Sequence, residues 1–165
     1  VARNRVTIDV SELESLFDCV GAAGSGDFRK EAETFLKEIA ENFLQIVEDE
    51  IIRKNAVDTR LLVSSFQELS SGGLTVEVGT DVTYASYVND GHWTNPKGVK
   101  TRWVPGRWSG ERFIYDPGAK TGMLLKQDWV PGKHFWENSL RAIEKLIPGF
   151  LEKKMNEWMA DYFGM

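Results

Sequence analysis

Residues 27–54 read DFRKEAETFLKEIAENFLQIVEDEIIRK, and the spacing of their apolar side chains decides half of the fold. Phe28, Ala32, Phe35, Leu36, Ile39, Phe43, Ile46, Val47 and Ile51 recur at helical intervals. Glu31, Glu33, Lys37, Glu38, Glu41 and Glu48 lie mostly off that face. The pattern predicts an amphipathic helix of about seven turns at 3.6 residues per turn, with Asp27 as its cap. Its carboxylates are scattered and have no histidine partners, so they read as a solvated or subunit-facing surface and not as metal ligands. Leu74-Thr75-Val76-Glu77-Val78-Gly79 supplies the other half. Apolar and polar residues alternate there, the period of a half-buried strand.

Upstream, Ser11 and Glu14 have capping-box spacing, and Leu13, Leu16, Phe17 and Val20 follow on one face, which predicts a short helix over 11–20. Gly21-Ala22-Ala23-Gly24-Ser25-Gly26 lacks the lysine of a phosphate-binding loop and reads as a flexible connector. Residues 1–26 are thus expected to be an N-terminal segment, and 27–165 a single domain. Downstream of the helix, Leu61–Phe66 predicts a short helix leading into a strand, and Ser70-Ser71-Gly72-Gly73 a turn.

Residues 92–132 differ in composition. They hold four of the six tryptophans (Trp93, Trp103, Trp108, Trp129) and four of the five prolines. Arg102–Val104 and Arg112–Tyr115 read as strand pieces, with Pro105-Gly106 and Ser109-Gly110 as turns, together an extended hairpin or arm. Trp-Val-Pro-Gly occurs at 103–106 and again at 129–132, too short a unit for a repeat architecture. From Lys133 onward, Trp136, Leu140, Ile143, Ile147, Leu151, Trp158 and Tyr162 mark a second long helix. Pro148-Gly149 predicts a kink or two abutting helices.

The chemistry of an enzyme is not visible. The chain has one cysteine, Cys19, and two histidines, His92 and His134, and no nucleophile-elbow, zinc-protease, paired-cysteine or phosphate-loop pattern. Cys19 reads as a buried thiol, and each histidine as a local partner at a turn or helix end. No cofactor or metal is expected. No apolar run approaches the ~20 residues of a membrane span, and residues 1–6 are not followed by the apolar core of a signal peptide. Charge is unevenly placed. Residues 1–58 carry 7 basic and 13 acidic side chains, and residues 91–133 carry 8 and 3, within a total of −5. Subunits with one acidic and one basic part can associate head to tail. Arg102, Trp103, Arg107, Trp108, Arg112 and Phe113 would suit either a subunit interface, where Trp and Arg are enriched, or an unpaired nucleic-acid strand. The acidic chain as a whole favours the interface, to which Trp93 and Trp129 are added.

Four short motifs in order complete the reading: Val57-Asp58-Thr59-Arg60-Leu61 with Ser64 or Ser65; Val76-Glu77-Val78-Gly79; Tyr84-Ala85-Ser86-Tyr87-Val88-Asn89-Asp90-Gly91-His92; and Val130-Pro131-Gly132-Lys133-His134-Phe135. Over residues 27–163 the chain resembles the head–tail joining, or neck, family of tailed phages, the gene-product-ten-like family of lambda-like phages. Arg60 stands where that family usually has glycine, Asn89 where it has an acidic residue, and the 92–132 insertion is long. The resemblance implies an α+β fold, a small, mostly antiparallel sheet covered by the long helix and a kinked C-terminal helix. It also implies a non-enzymatic virion protein, assembled in the host cytoplasm into a sixfold or twelvefold ring. That ring would join the head connector to the tail terminator or tail tube, with DNA passing through its lumen unbound. On this reading Tyr84, Tyr87 and Val88 pack sheet against helix, and Gly91 permits a turn. Pro131 and Gly132 set the start of the last helix, which Phe135 anchors. The rivals are a nucleic-acid-binding module that uses the arm and a small hydrolase built on His92 or His134.

Overall fold

The computed structural model describes residues 4–15, 25–56 and 60–164. Two compact units emerge, one of residues 1–89 with 133–165 and one of residues 90–132.

In the first unit, β1 (Arg5–Asp9), β2 (Gln67–Gly72) and β3 (Thr75–Gly79) form an antiparallel sheet in the order β1-β3-β2. β3 is central, as its alternation predicts: Val76 and Val78 are buried, while Thr75 and Glu77 are half-buried on the other face. Two features were not anticipated. Arg5–Asp9 is a strand, with Val6 and Ile8 packed against the core and Val6 opposite Val78. Ser70–Gly72 continue β2, so the turn shrinks to Gly73-Leu74, with Gly73 at φ +59°. β2 is an edge strand with an irregular register between Glu68 and Ser70 and only Leu69 half-buried, so it carries no apolar alternation to read.

Where a helix over 11–20 was expected, Ser11–Leu13 form a 3-10 turn that runs into helical residues 14–15, and 16–20 lie outside the described residues. Asp9, not Ser11, serves its start: the Asp9 carboxylate accepts the Ser11 N–H at 2.8 Å. That hydrogen bond holds the Asp9 carboxyl below its usual pKa. Residues 16–24, which include Cys19 and most of the glycine-rich connector, lie outside the described residues, as does 57–59 of the first motif.

The long helix, α1 (Ser25–Arg53), begins two residues before Asp27, which therefore sits in its first turn. Its predicted face is the core: Phe28, Ala32, Phe35, Leu36, Ile39, Phe43, Val47 and Ile51 are buried. Each such side chain contributes roughly 1.5–3 kcal/mol for the large residues. α2 (Leu61–Ser64) and α3 (Ala85–Asp90) are short. α4 (Phe135–Phe163) is one unbroken helical span with Pro148 inside it, not two abutting helices. α1 packs on β1 and β3, on α2 and along α4. At one end of the α1–α4 contact, Phe28 meets Trp158 edge-on at 4.8 Å and Tyr162 at 5.4 Å. There the Glu31 carboxylate accepts the Trp158 indole N–H at 2.9 Å and the Tyr162 hydroxyl at 2.7 Å, and the phenol is pushed up to about 12. Towards the other end, Trp136 meets Phe43 at 5.3 Å and stacks on Phe66 at 5.6 Å. Among the described residues no helix is long and apolar enough to cross a membrane.

Candidate functional site: an exposed aromatic sheet

In the second unit β4 (Gly91–Trp93) pairs with β8 (Trp129–Pro131), and β5 (Thr101–Ser109) lies between β6 (Arg112–Tyr115) and β7 (Gly122–Lys126). Pro105-Gly106 is not a turn. It lies inside β5, where the strand changes partner: Pro105 is opposite Gly122 of β7, and Gly106 opposite Tyr115 of β6. The Gly106 N–H reaches the Thr121 carbonyl at 2.9 Å, and the Pro105 carbonyl accepts the Asp116 N–H at 3.2 Å. A proline can occupy this place because the strand hands over its ladder there. The predicted turn at Ser109-Gly110 forms at Gly110-Glu111.

One local geometry recurs three times. Gly91, Gly106 and Gly122 are paired with Pro131, Tyr115 and Pro105 respectively. In each case an aromatic side chain two residues before that partner lies against the glycine: Trp129, Phe113 and Trp103. A Cβ on Gly91 would sit 2.6 Å from the Trp129 indole, and one on Gly122 the same distance from the Trp103 indole. Gly91 is also at φ +89°, a conformation that favours glycine. The duplicated Trp-Val-Pro-Gly is therefore a duplicated local device: tryptophan on a cross-strand glycine, proline opposite that glycine. Sequence periodicity does not reveal it, because the glycine is supplied by a distant strand.

The aromatic side chains nevertheless remain in solvent. No hydrophobic side chain of residues 90–132 is buried; Trp93, Trp103 and Trp108 are 57, 57 and 58% exposed, and Trp129 is 45%. Tyr115 and Leu124, absent from the sequence-based set, are 63 and 60% exposed. Trp93 meets Trp129 at 5.4 Å and Trp108 meets Phe113 at 5.3 Å, both edge-on across a strand pair. Arg102, Arg107 and Arg112 are exposed, and Phe113 is half-buried. Trp93 with Trp129, Trp108 with Phe113, and Trp103 opposite Leu124 thus form local apolar pairs at the surface, and exposed apolar patches mark interaction sites.

The motif in the first unit has a different role. Tyr87 is 57% exposed and does not pack sheet against helix, whereas Tyr84 and Val88 do lie against the core. The decisive residue is Asn89, which is 1% exposed. Its side-chain carbonyl accepts the Trp136 N–H at 2.9 Å, and its amide donates to both Glu137 oxygens at 2.9 and 3.0 Å. Its backbone carbonyl accepts the His134 N–H at 3.0 Å, and the Val88 carbonyl accepts the Lys133 N–H at 2.9 Å. Asn89 thus caps α4 from α3. It takes over the part expected of Pro131 and Gly132; Pro131 is an exposed strand residue. His134, at φ +52°, is the last residue before α4, which the buried Phe135 opens. His134 approaches Glu137 at 3.9 Å, and His92 is half-buried opposite Val130. Among the described residues no group of three or more His, Cys, Asp or Glu side chains could hold a metal ion.

Residues 22–91 match the family described as "Bacteriophage HK97-gp10, putative tail-component". A Bacillus subtilis (strain 168) protein named "Phage-like element PBSX protein XkdI" is 44% identical over 158 residues, 91% of this chain and 97% of the relative. The chain belongs to this family of phage tail components. A second protein of that strain, "Uncharacterized protein YqbI", is 42% identical over 162 residues, 92% of this chain and 97% of its own length. No solved structure matches. The family is one of structural, tail-related phage proteins, in line with the resemblance that the four motifs carried.

Proposed function

We propose that this chain is a non-enzymatic virion protein that forms a ring in the phage neck and joins the head connector to the tail. The exposed strands of residues 90–132 make the inter-subunit or inter-layer contact. The observation that carries the proposal is the unit itself: strand-paired, without a buried hydrophobic side chain, and presenting Trp93, Trp103, Trp108, Tyr115, Leu124 and Trp129 to solvent. Such side chains, with Arg102, Arg107 and Arg112 among them, have the composition of interface hot spots. The tail-component family supports a place in the virion. Its partners are further copies of the chain, the connector or adaptor on the head side, and the tail terminator or tube on the other. An acidic or neutral lumen would let DNA pass without holding it. Deleting residues 95–126 tests this: the remainder should keep its helical circular dichroism but fail to join heads to tails. Normal joining by the deletion variant would remove the sheet from the contact.

A further inference from the structure

Resting on that reading, we propose that the Trp103–Leu124 face of the β5–β7 sheet docks on the outer stripe of α1 in a second copy of this chain. Register defines the first surface. Trp103 and Leu124 are directly opposed, so they emerge on the same face, and Lys126, opposite Thr101, emerges there too. All three are exposed. Residues 90–132 carry seven basic and four acidic side chains.

The second surface is the side of α1 turned away from its core face. Glu38, Glu41, Gln45, Glu48 and Ile52 are exposed and spaced three and four residues apart, which places them on one stripe. No lysine or arginine occurs from Glu38 to Glu50. No ion pair to Glu38, Glu41 or Glu48 occurs among the described residues. The stripe ends in Ile52, 53% exposed, a large apolar side chain without cover. The two surfaces therefore match twice, in charge and in apolar content. They also match in length: Glu38 to Ile52 spans about 21 Å of helix, and Thr101 to Arg107, which alternation puts on the Trp103 side of β5, about 20 Å of strand. Carboxylates facing lysine and arginine would set orientation and partner choice, and burial of Trp103 and Leu124 against Ile52 would supply affinity. A chain with one of each surface propagates head to tail, and a ring results if the rotation closes.

Charge exchange tests the pairing. Three full-length variants would be expressed in a host whose phage lacks this gene: E41K/E48K, R107E/K126E, and all four substitutions together. Each should keep the wild-type circular dichroism. Each reversal alone should lower the yield of joined particles by about tenfold or more, and the combined variant should recover most of it. In particles assembled from light- and heavy-isotope copies, a photo-reactive residue at position 124 should cross-link to an α1 peptide of the other isotope. Wild-type yield from both single reversals, no recovery in the combined variant, or cross-links only to other virion proteins would overturn the pairing. The neck reading fails separately: recovery and cross-links from copies located away from the head–tail junction would leave the pairing intact and remove the ring from the neck.

Discussion

At the scale of single residues, Asn89 shows what a motif can hide. The sequence presents it as a departure in a turn-like Asn-Asp-Gly, yet both ends of its side-chain amide bond the start of α4. An amide suits this place because one end accepts the Trp136 N–H while the other donates to Glu137. A carboxylate could do only the first. Asn89→Asp should therefore destabilise the protein by about 1–3 kcal/mol at pH 7, since two buried or half-buried carboxylates would meet. Repulsion raises the pKa of the pair in the folded state, so the penalty should shrink as pH falls through that raised value. Glu137→Gln in the same chain should relieve it. Urea titrations of the wild type and the two variants at pH 7 and pH 4.5 measure this; equal stability of Asn89→Asp and wild type at pH 7 would refute the cap. Tyr162 gives a second check. Its phenol is held protonated to about 12 chiefly by its hydrogen bond to Glu31. The folded value exceeds the unfolded one, so this contribution is complete below pH 10 and fades as pH rises from about 10 to 12. Phenolate absorbance should show the late titration of Tyr162, shifted back towards 10 in Glu31→Ala.

At the scale of elements, legibility follows periodicity. α1 and β3 declare themselves because each buries one face of a regular element, and the repeats of 3.6 and 2 survive in sequence. The strands β1 and β2 do not, for different reasons. β2 is an irregular, polar edge. β1 alternates correctly over only five residues, at a chain end where charge draws the eye first. α4 is continuous through Pro148 because packing along α1 holds both halves of one face, from Trp136 to Trp158. Pro148 is exposed and has no backbone N–H to give. Pro148→Ala should therefore stabilise the isolated protein, by up to about 3 kcal/mol in chemical denaturation. In the second unit the aromatic-on-glycine contacts take the place of a core. Gly122→Ala, whose new methyl would meet the Trp103 indole, should loosen β5–β7 selectively. Hydrogen exchange should then rise in 101–126 and stay unchanged in α1 and α4.

At the scale of the molecule, the proposed contact rests on the uneven charge and on the exposed strands of residues 90–132. Composition showed that residues 92–132 were unusual, and the candidate interface residues lie on strands, all but Phe113 exposed. What sequence could not supply was pairing: that Leu124 faces Trp103, that Tyr115 joins the exposed set, or that the repeated Trp-Val-Pro-Gly does the same work twice. Those facts belong to strand register, which separates partners by tens of residues. If electrostatic matching between copies drives assembly, joining in extracts should weaken steeply with salt as the Debye length falls from about 10 Å at 0.1 M to 3 Å at 1 M. The most direct test of the neck assignment is an electron-microscopy map of the assembled particle. A closed ring of this chain between head connector and tail, with residues 90–132 at the contacts between copies or layers, is the expected result. Density for the chain in the tail tube or at the tail tip, or a monomer bound outside the junction, would contradict it.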